Sequence, residues 1–586
     1  MYEIKISVRN LVEFIMRSGD LSVSSTGLKD ANAMQEGTRI HKKLQRKAGA
    51  GYHAEVALSH TSEVTYDGLT FQITVEGRAD GIYSDELGWN IDEIKGIYRD
   101  IHTLSEAIPV HRAQALCYGL IYALQNTLDG IGIRITYCHI PTEEVRYFHE
   151  FISFAELQNW YDTLLASYAK WASWQIRWQE ERNNNIKSLE FPFPYRDGQN
   201  SLVKGVYQSI LRKKRLYIEA PTGVGKTIST IFPAVKSLGE NVSEKIFYLT
   251  AKTITRTVAE DTLFLLQAKK VPLKSVTLTA KEKICFLEKP ACNPAQCDYA
   301  KGHFDRVNDA VFDLLTHETI MTRETILEYA KKHMVCPFEM ALDTATWCDF
   351  IIGDYNYAFD PTASLKRFFS VDKENNFVFL IDEAHNLVSR ARDMYSASLT
   401  KEDFLAMKKL VKVRSRRVAN ALDGCNRALL ELKRSCDELE KFDFLETESL
   451  VLKLMRLSTI MEEFFQEQEH PHPSFPTTPL PPSDKEQLLN FYFEIRSFQN
   501  IYELVDEHYI IYGDYTSDGH FILHLQCMDP SANLDLYLKK SRCSVFFSAT
   551  FLPIHYYREQ LAGREDDYAI YAPSPFSPDK RLLMIG

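Results

Sequence analysis

The chain has 586 residues, 45% of them hydrophobic, and its 68 Lys and Arg stand against 79 Asp and Glu for a formal charge of −11. That length corresponds to about four domains and buries its cores without disulfide or metal staples. The acidic balance excludes nucleic-acid binding by net charge, so any such site is a local basic groove.

The opening MYEIKISVRN has no charged stretch leading into an apolar one, and the apolar runs are strand-sized, as in Phe377 to Ile381. This pattern points to a soluble cytoplasmic protein with no membrane partner. Residues 1 to about 50 read as helical, through Val8, Leu11, Val12, Phe14 and Ile15 and then Ile40 and Leu44. From Ala54 to Lys95 the pattern turns to strands, with Leu69 to Val75 and Trp89 to Lys95 bounded by the turn pairs Asp67-Gly68 and Leu87-Gly88. A helix over Val110 to Ala123 and a strand over Ile131 to Ile140 follow. A long helix then starts at the capping box of Ser153 and Glu156 and is expected to end at Asn183, Asn184 and Asn185.

Beyond that boundary short apolar strands (Leu216 to Ile218, Ile246 to Leu249, Phe350 to Ile352, Val378 to Ile381) alternate with helical stretches, the mark of a parallel sheet covered by helices. Residues 390 to 530 interrupt the alternation with helical stretches and a proline-rich loop, His470 to Pro482.

The strand Leu216 to Glu219 runs into Ala220-Pro221-Thr222-Gly223-Val224-Gly225-Lys226-Thr227 and then a helix. Glycines let backbone N–H groups close around phosphate oxygens, Lys226 reaches the β and γ phosphates, and Thr227 ligates Mg²⁺. Ala220 stands where the strict pattern has glycine. The partner motif is Phe377 to Ile381 running into Asp382-Glu383-Ala384-His385, where Asp382 holds the metal through water and Glu383 orients and deprotonates the attacking water. Ser548-Ala549-Thr550 follows another apolar run, and Tyr195-Arg196-Asp197-Gly198-Gln199 lies upstream of the loop.

Cys285, Cys292, Cys297 and Cys336 crowd between these motifs and can hold either Zn²⁺ or a [4Fe–4S] cluster, or stand as unligated core cysteines; the lack of tight Cys-x-x-Cys pairs disfavours zinc. Cys117, Cys138, Cys348 and Cys527 sit singly in apolar patterns and read as buried small hydrophobes.

Asp382 to His385, the Ser-Ala-Thr element and the four cysteines together resemble the iron–sulfur helicases of superfamily two, the XPD/DinG group, over about residues 191–586. The resemblance implies ATP and Mg²⁺ as cofactors, a [4Fe–4S] cluster on the four cysteines, and 5′ to 3′ translocation on single-stranded or forked DNA. It also implies that Arg196 and Gln199 contact adenine, that Thr250 to Arg256 touch the strand backbone, and that Ser548, Ala549 and Thr550 couple hydrolysis to movement.

Nearer the start, Asp80 ends one strand and Asp92-Glu93-Ile94-Lys95 lies on the next, where alternation puts Glu93 and Lys95 on one face. Asp80 and Glu93 suit a divalent metal, and Lys95 steadies the nucleophilic water or the developing charge. Gln114 and Tyr118 share a helix face, and His41 supplies a nitrogen ligand that favours Mn²⁺ over Mg²⁺. Singly these residues are common; in order they resemble the PD-(D/E)XK nucleases of the RecB C-terminal type, over residues 1 to 180, which implies metal-dependent DNA cleavage at or near a strand end.

The fold expected is therefore α/β: a nuclease-like domain at 1–182, and a RecA-like motor domain at 183–390 and 531–575 with an iron–sulfur insertion at 280–340. A helical arch-like insertion at 391–530 and, at 576–586, the start of a second motor domain complete it. No Gly-Arg-x-x-Arg element follows Thr550. The expectation is a motor cut before its second domain, or one completed by a second chain, since transition-state arginines are worth orders of magnitude in rate. The leading functional expectation is an ATP-dependent DNA helicase fused to a nuclease, in repair or end processing. The alternatives are an ATP-regulated nuclease whose motor clamps a single strand without unwinding, and a cluster-bearing single-strand binding protein.

Overall fold

The computed structural model describes every residue except 1, 22–25, 50, 87, 98–100, 141, 252, 370–374, 440–442, 444–446, 470–479 and 575–586. Most of the proline-rich loop and the expected start of a second motor domain thus lie outside the described residues. The chain divides into two compact units, Met1–Asn184 with Thr279–Trp347, and Asn185–Leu278 with Cys348–Gly586. No helix among the described residues is long and apolar enough to cross a membrane.

The first unit is built on a six-stranded mixed sheet: β1 (Tyr2–Ser7), β2 (Tyr52–Tyr66), β3 (Leu69–Asp85), β4 (Gly88–Ile97), β5 (Gly130–His139) and β6 (Val145–Ser153). The β2–β3 hairpin turns at Asp67 and Gly68, both at positive φ (48° and 75°), which is the backbone this pair favours. β3 is long enough to pair β1 in parallel over Phe71–Glu76 and β4 in antiparallel over its last five residues. β4 and β5 are parallel, so a crossover is required. Helix α3 (Pro109–Asn126) supplies it, and it lies so close to the sheet that a Cβ on Gly119 would come within 2.7 Å of Ile133. Between β1 and β2 run α1 (Val8–Met16) and α2 (Thr26–Lys47), and Ile40 and Leu44 of α2 pack on Ile94, Cys138 and Ile140.

Two expectations change here. The first six residues of the expected helical start form β1, an edge strand whose partner lies some 70 residues on, a pairing that local periodicity does not reveal. Helix α4 (Phe154–Lys187) runs through the three asparagines; at its start the capping box is made, with Glu156 accepting from Ser153 N (3.1 Å) and Glu156 N donating to Ser153 Oγ (3.4 Å).

The cysteine-bearing segment was expected to belong with the motor domain, yet Thr279–Trp347 clusters with the N-terminal sheet domain. Of its three helices, His303–His317, Arg323–His333 and Pro337–Trp347, the first and third meet that domain in an aromatic cluster. There Trp171 lies 4.8 Å from Phe14, 4.7 Å from Trp347 and 4.9 Å from Phe312, ring centre to ring centre. Such edge-on and tilted pairs add about 0.5–1.5 kcal/mol each beyond area burial.

The second unit holds a parallel sheet of β7 (Leu216–Glu219), β8 (Lys245–Leu249), β9 (Ser275–Thr277), β10 (Phe350–Gly353), β11 (Phe377–Asp382), β12 (Cys543–Ser548) and β13 (Tyr568–Tyr571), in the order β9-β10-β8-β11-β12-β7-β13. β11 and β12 are buried along their whole length, which is why they read as unbroken apolar runs rather than alternating ones. The unit is α/β with a RecA-like sheet. The expected helical insertion carries long helices, among them Arg416–Leu439 and Glu448–Glu469, and also an antiparallel three-stranded sheet, Ala397–Thr400, Tyr509–Tyr515 and Phe521–Cys527. Cys117, Cys138, Cys348 and Cys527 are buried, as expected.

Candidate active sites and the cysteine cavity

In the second unit β11, β12 and β7 lie side by side, so their carboxyl ends bring three sequence motifs together. The phosphate loop leaves β7, with Gly223 and Gly225 at φ of 89° and 79°, and helix α6 (Lys226–Gly239) starts directly behind it. This left-handed backbone is what glycine is needed for, and the helix start favours an anion. Lys226 Nζ donates to Ala220 O at 2.9 Å; burial lowers its pKa, opposed by Glu383 and Asp382. Gln199 is buried, accepts from Arg196 N (3.1 Å) and donates to Val224 O (3.2 Å), while Arg196 donates to Gly223 O, so both expected adenine contacts also brace the loop. Thr222 is exposed on the loop and Val224 is buried beneath it.

Asp382 is held on both oxygens: Tyr248 donates to Oδ2 at 2.5 Å and Glu383 N to Oδ1 at 2.8 Å. Burial raises its carboxyl to about 6 against the pull of the Tyr248 donor. Tyr248 also bonds the side chain of Thr227, linking the two expected Mg²⁺ ligands. Glu383 turns out of the strand at φ 48°, and His385 Nδ1 stands 3.3 Å from its carboxylate and 2.7 Å from Ser548 Oγ. Ser548 Oγ accepts in turn from Thr550 N at 3.1 Å, and Ala549 lies between. The Glu383–His385–Ser548 chain ties the nucleotide motif to the Ser-Ala-Thr element. Sequence reasoning missed Tyr248 and also Tyr355, whose hydroxyl donates to the backbone oxygens of Asp382 and Glu383. Of the expected strand-contacting segment, Arg256 Nη2 reaches Asp354 at 3.3 Å.

In the first unit the expected residues converge from four elements. Asp80 Oδ2 accepts from Ile94 N at 2.8 Å, and His41 Nδ1 lies 3.3 Å from Asp80 Oδ1. Burial pulls His41 down and the Asp80 carboxylate outweighs it, so its pKa lies above the ordinary value. Lys95 Nζ is 2.6 Å from Glu93 Oε1, while Glu93 Oε2 is buried with no hydrogen-bond partner. Burial, opposed by Lys95 and helped by Asp80, raises the Glu93 carboxyl to about 7. Gln114 and Tyr118 are both buried on α3, and the Tyr118 hydroxyl meets the Arg78 backbone.

Beside the expected His41, Asp80 and Glu93, the fold brings up Glu55 as a further candidate ligand. The ligand atoms of His41, Asp80 and Glu55 lie within 4.8 Å of one another; Glu93 instead turns to Lys95. Glu55 sits on β2 at φ 55°, a local break in the strand that no sequence pattern marks. Asp92, on the opposite face from Glu93, is structural: Arg134 grips both its oxygens (3.1 and 2.7 Å) and Tyr52 donates at 2.9 Å. Two carboxylates, one imidazole and a buried carboxylate oxygen without a donor suit a divalent cation chemically.

Cys285, Cys292, Cys297 and Cys336 line one cavity, walled by Leu21, Phe286, Ala291, Tyr299, Pro337 and Phe338. All four are free thiols. Burial raises the Cys292 and Cys336 thiols, and Cys336 to about 11. Four cysteines lining one mostly apolar cavity suit a thiolate-ligated group chemically.

Residues 250–404 match the DEAD_2 family model. The matched span contains Thr250 to Arg256, all four cavity cysteines and Asp382 to His385. The chain is similar to XPD-like helicases of superfamily two. It is 24% identical over 332 residues to the Regulator of telomere elongation helicase 1 homolog of Caenorhabditis briggsae, covering 48% of this chain and 33% of that one. It is 27% identical over 197 residues to the General transcription and DNA repair factor IIH helicase subunit XPD/RAD3 of Saccharomyces cerevisiae, covering 34% and 22%. The chain thus spans a third or less of the length of these relatives. A solved structure titled XPD_Helicase aligns at TM-score 0.40 and 17% identity, covering 64% of this chain and 62% of that one.

Proposed function

We propose that this chain is an ATP-dependent DNA helicase motor of the XPD/DinG type, moving 5′ to 3′ along single-stranded or forked DNA, joined to a metal-dependent DNA nuclease. The observation that carries the motor is the adjacency of β7, β11 and β12 with a linked Lys226, Asp382, Glu383, His385 and Ser548 at their ends, within a DEAD_2 match. Backbone N–H groups from Gly223 to Thr227 receive the phosphates, and Lys226, now bound to Ala220 O, swings to the β and γ oxygens. Thr227 and Asp382 would hold Mg²⁺, which neutralises charge developing on the phosphoryl oxygens. Glu383 holds the attacking water and takes its proton, and His385 passes the change at Glu383 to Ser548. Gln199 and Arg196 flank the adenine side.

In the nuclease, His41, Asp80 and Glu55 or Glu93 would hold Mn²⁺ or Mg²⁺, which polarises the scissile phosphate and acidifies a bound water. Lys95 orients that water and offsets charge developing on the scissile phosphate, while Gln114 and Tyr118 support the site from α3. Cys285, Cys292, Cys297 and Cys336 would hold a [4Fe–4S] cluster.

The experiment is a matched pair of assays on the full chain. ATP hydrolysis is measured with and without single-stranded DNA for the wild type and Lys226→Ala, and Mn²⁺-dependent cleavage of labelled single strand for the wild type and Asp80→Ala. DNA-stimulated hydrolysis that needs Lys226, and cleavage that needs Asp80, are expected. Cleavage without any Lys226-dependent hydrolysis removes the motor from the reading and leaves the nuclease.

A further inference from the structure

The segment joining α1 to the residues before α2 does not run over its own domain but lies on the cysteine-bearing fold. Leu21 N donates to Ala300 O at 2.8 Å, and Phe304 N donates to Gly19 O at 3.0 Å. Gly302 N donates to Asp20 Oδ1 at 2.6 Å and Gly19 N to Asp305 Oδ1 at 2.8 Å. Arg17, with under a fifth of its side chain exposed, bonds Asp343 at 2.7 Å and Asn308 at 3.0 Å, and Asn308 returns a bond to Phe14 O at 2.7 Å. The result is a clamp of backbone, carboxylate and guanidinium bonds made by Arg17, Gly19, Asp20 and Leu21. At its end the Leu21 side chain, 8% exposed, forms part of the wall of the cavity that the four sulfurs line.

We propose that Leu21, held by the clamp Arg17–Asp20, is part of the binding site of the four-cysteine group, so that the N-terminal domain itself closes the cofactor pocket. Every ligand comes from Cys285 to Cys336, but one wall of the apolar shell comes from a residue more than 260 positions upstream. That shell governs water and oxidant access to a thiolate-bound cluster. Without Leu21 the sulfurs keep their places and lose their cover. The dependence runs both ways by linkage, because a group that binds only the clamped arrangement stabilises the clamp. The inference rests on the reading of the cysteines as cluster ligands.

The test uses the full chain, purified without oxygen. Iron and sulfide per chain and the decay of the visible cluster absorbance in air are measured for the wild type, Leu21→Asp, the milder Leu21→Ala, and Asp80→Ala. Decay on the order of 10-fold faster in Leu21→Asp and a few-fold faster in Leu21→Ala is expected, with the Asp80→Ala lifetime unchanged. In the reverse direction, trypsin should cut after Arg17 in a Cys292→Ser chain and leave that bond intact in the wild type. Equal cluster lifetimes in the wild type and both Leu21 variants overturn the proposal while leaving the cluster reading intact. A chain that takes up no iron even on reconstitution overturns the cluster reading and the proposal with it.

Discussion

The two acidic centres make opposite use of burial. At the phosphate loop, Asp382 is buried and fully served, with Tyr248 on one oxygen and a backbone N–H on the other. On the interior strand β4 of the first unit, Glu93 is buried with Lys95 on one oxygen and no protein donor on the other. An unserved buried polar atom costs about 1–3 kcal/mol, so the first site is finished by the protein and the second is held short of completion. The carboxyls follow the same division: burial raises Asp382 to about 6 against its donors, and raises Glu93, short of one donor, to about 7.

The sharpest way to break this comparison is to disable each centre and read both activities. Lys226→Ala should lower DNA-stimulated ATP hydrolysis on the order of 10²–10³-fold and leave Mn²⁺-dependent cleavage unchanged, and Asp80→Ala should do the reverse. Loss of both activities in either variant would mean that the centres are not separate.

Next in size is Glu55→Gln, which removes one of the three carboxylate or imidazole groups lying within 4.8 Å. Apparent Mn²⁺ affinity, measured by titration without DNA, should fall about 10-fold or more. If Glu55→Gln binds Mn²⁺ like the wild type and Glu93→Gln does not, the cation sits on the Glu93 side of Asp80.

The Tyr248 bond offers a smaller test on the other side. Tyr248→Phe leaves Asp382 buried with one donor fewer, and a lost hydrogen bond to a charged group is worth about 1.5–3 kcal/mol. The Mg²⁺ concentration for half-maximal ATP hydrolysis should rise roughly 10-fold, with near-normal rate at saturating Mg²⁺. An unchanged Mg²⁺ requirement would show that the backbone donor Glu383 N suffices alone.

These centres were not equally legible in the sequence. The phosphate-loop site was visible because each of its motifs is a short run at the end of one apolar strand, and parallel strand order then brings the runs together. Tyr248 and Tyr355 were not, since a tyrosine in a buried run looks like packing until its hydroxyl is seen on Asp382. In the first unit Asp80, Glu93, Lys95 and His41 came through as an ordered series. Glu55 did not, because its approach to His41 and Asp80 goes with a positive-φ break in β2 that only the fold creates. The parallel sheet and the β2–β3 hairpin were readable from local pattern and turn chemistry. The β1–β3 pairing and the grouping of the cysteine-bearing segment with the N-terminal sheet rest on contacts between distant residues, for which one sequence carries no periodic signal.

The smallest effect expected is on stability against acid, and it belongs to the first unit. His111 lies in the first turn of α3, and its Nδ1 is 3.0 Å from the Tyr137 hydroxyl. That hydroxyl already accepts from Ile108 N at 2.9 Å and so donates its own proton to the imidazole. Burial first, and then the Lys95 charge, lowers the His111 pKa from 6.5 to about 4, and a helix start disfavours a cation as well. Between pH 6.5 and about 4 the unfolded chain therefore binds a proton there that the folded chain refuses. Stability from this group is fully present above the unfolded value and drains away as pH falls through that window. His111→Gln, which keeps an acceptor for Tyr137 and removes the titration, should move the acid unfolding midpoint of the first unit, followed by tryptophan fluorescence, to lower pH by a few tenths of a unit. A midpoint that stays put or moves upward would mean that His111 titrates alike in the folded and unfolded chains. The acid sensitivity of the unit would then fall to His303, which takes the Cys336 N–H at Nδ1 (3.2 Å) and is likewise lowered by burial to about 4.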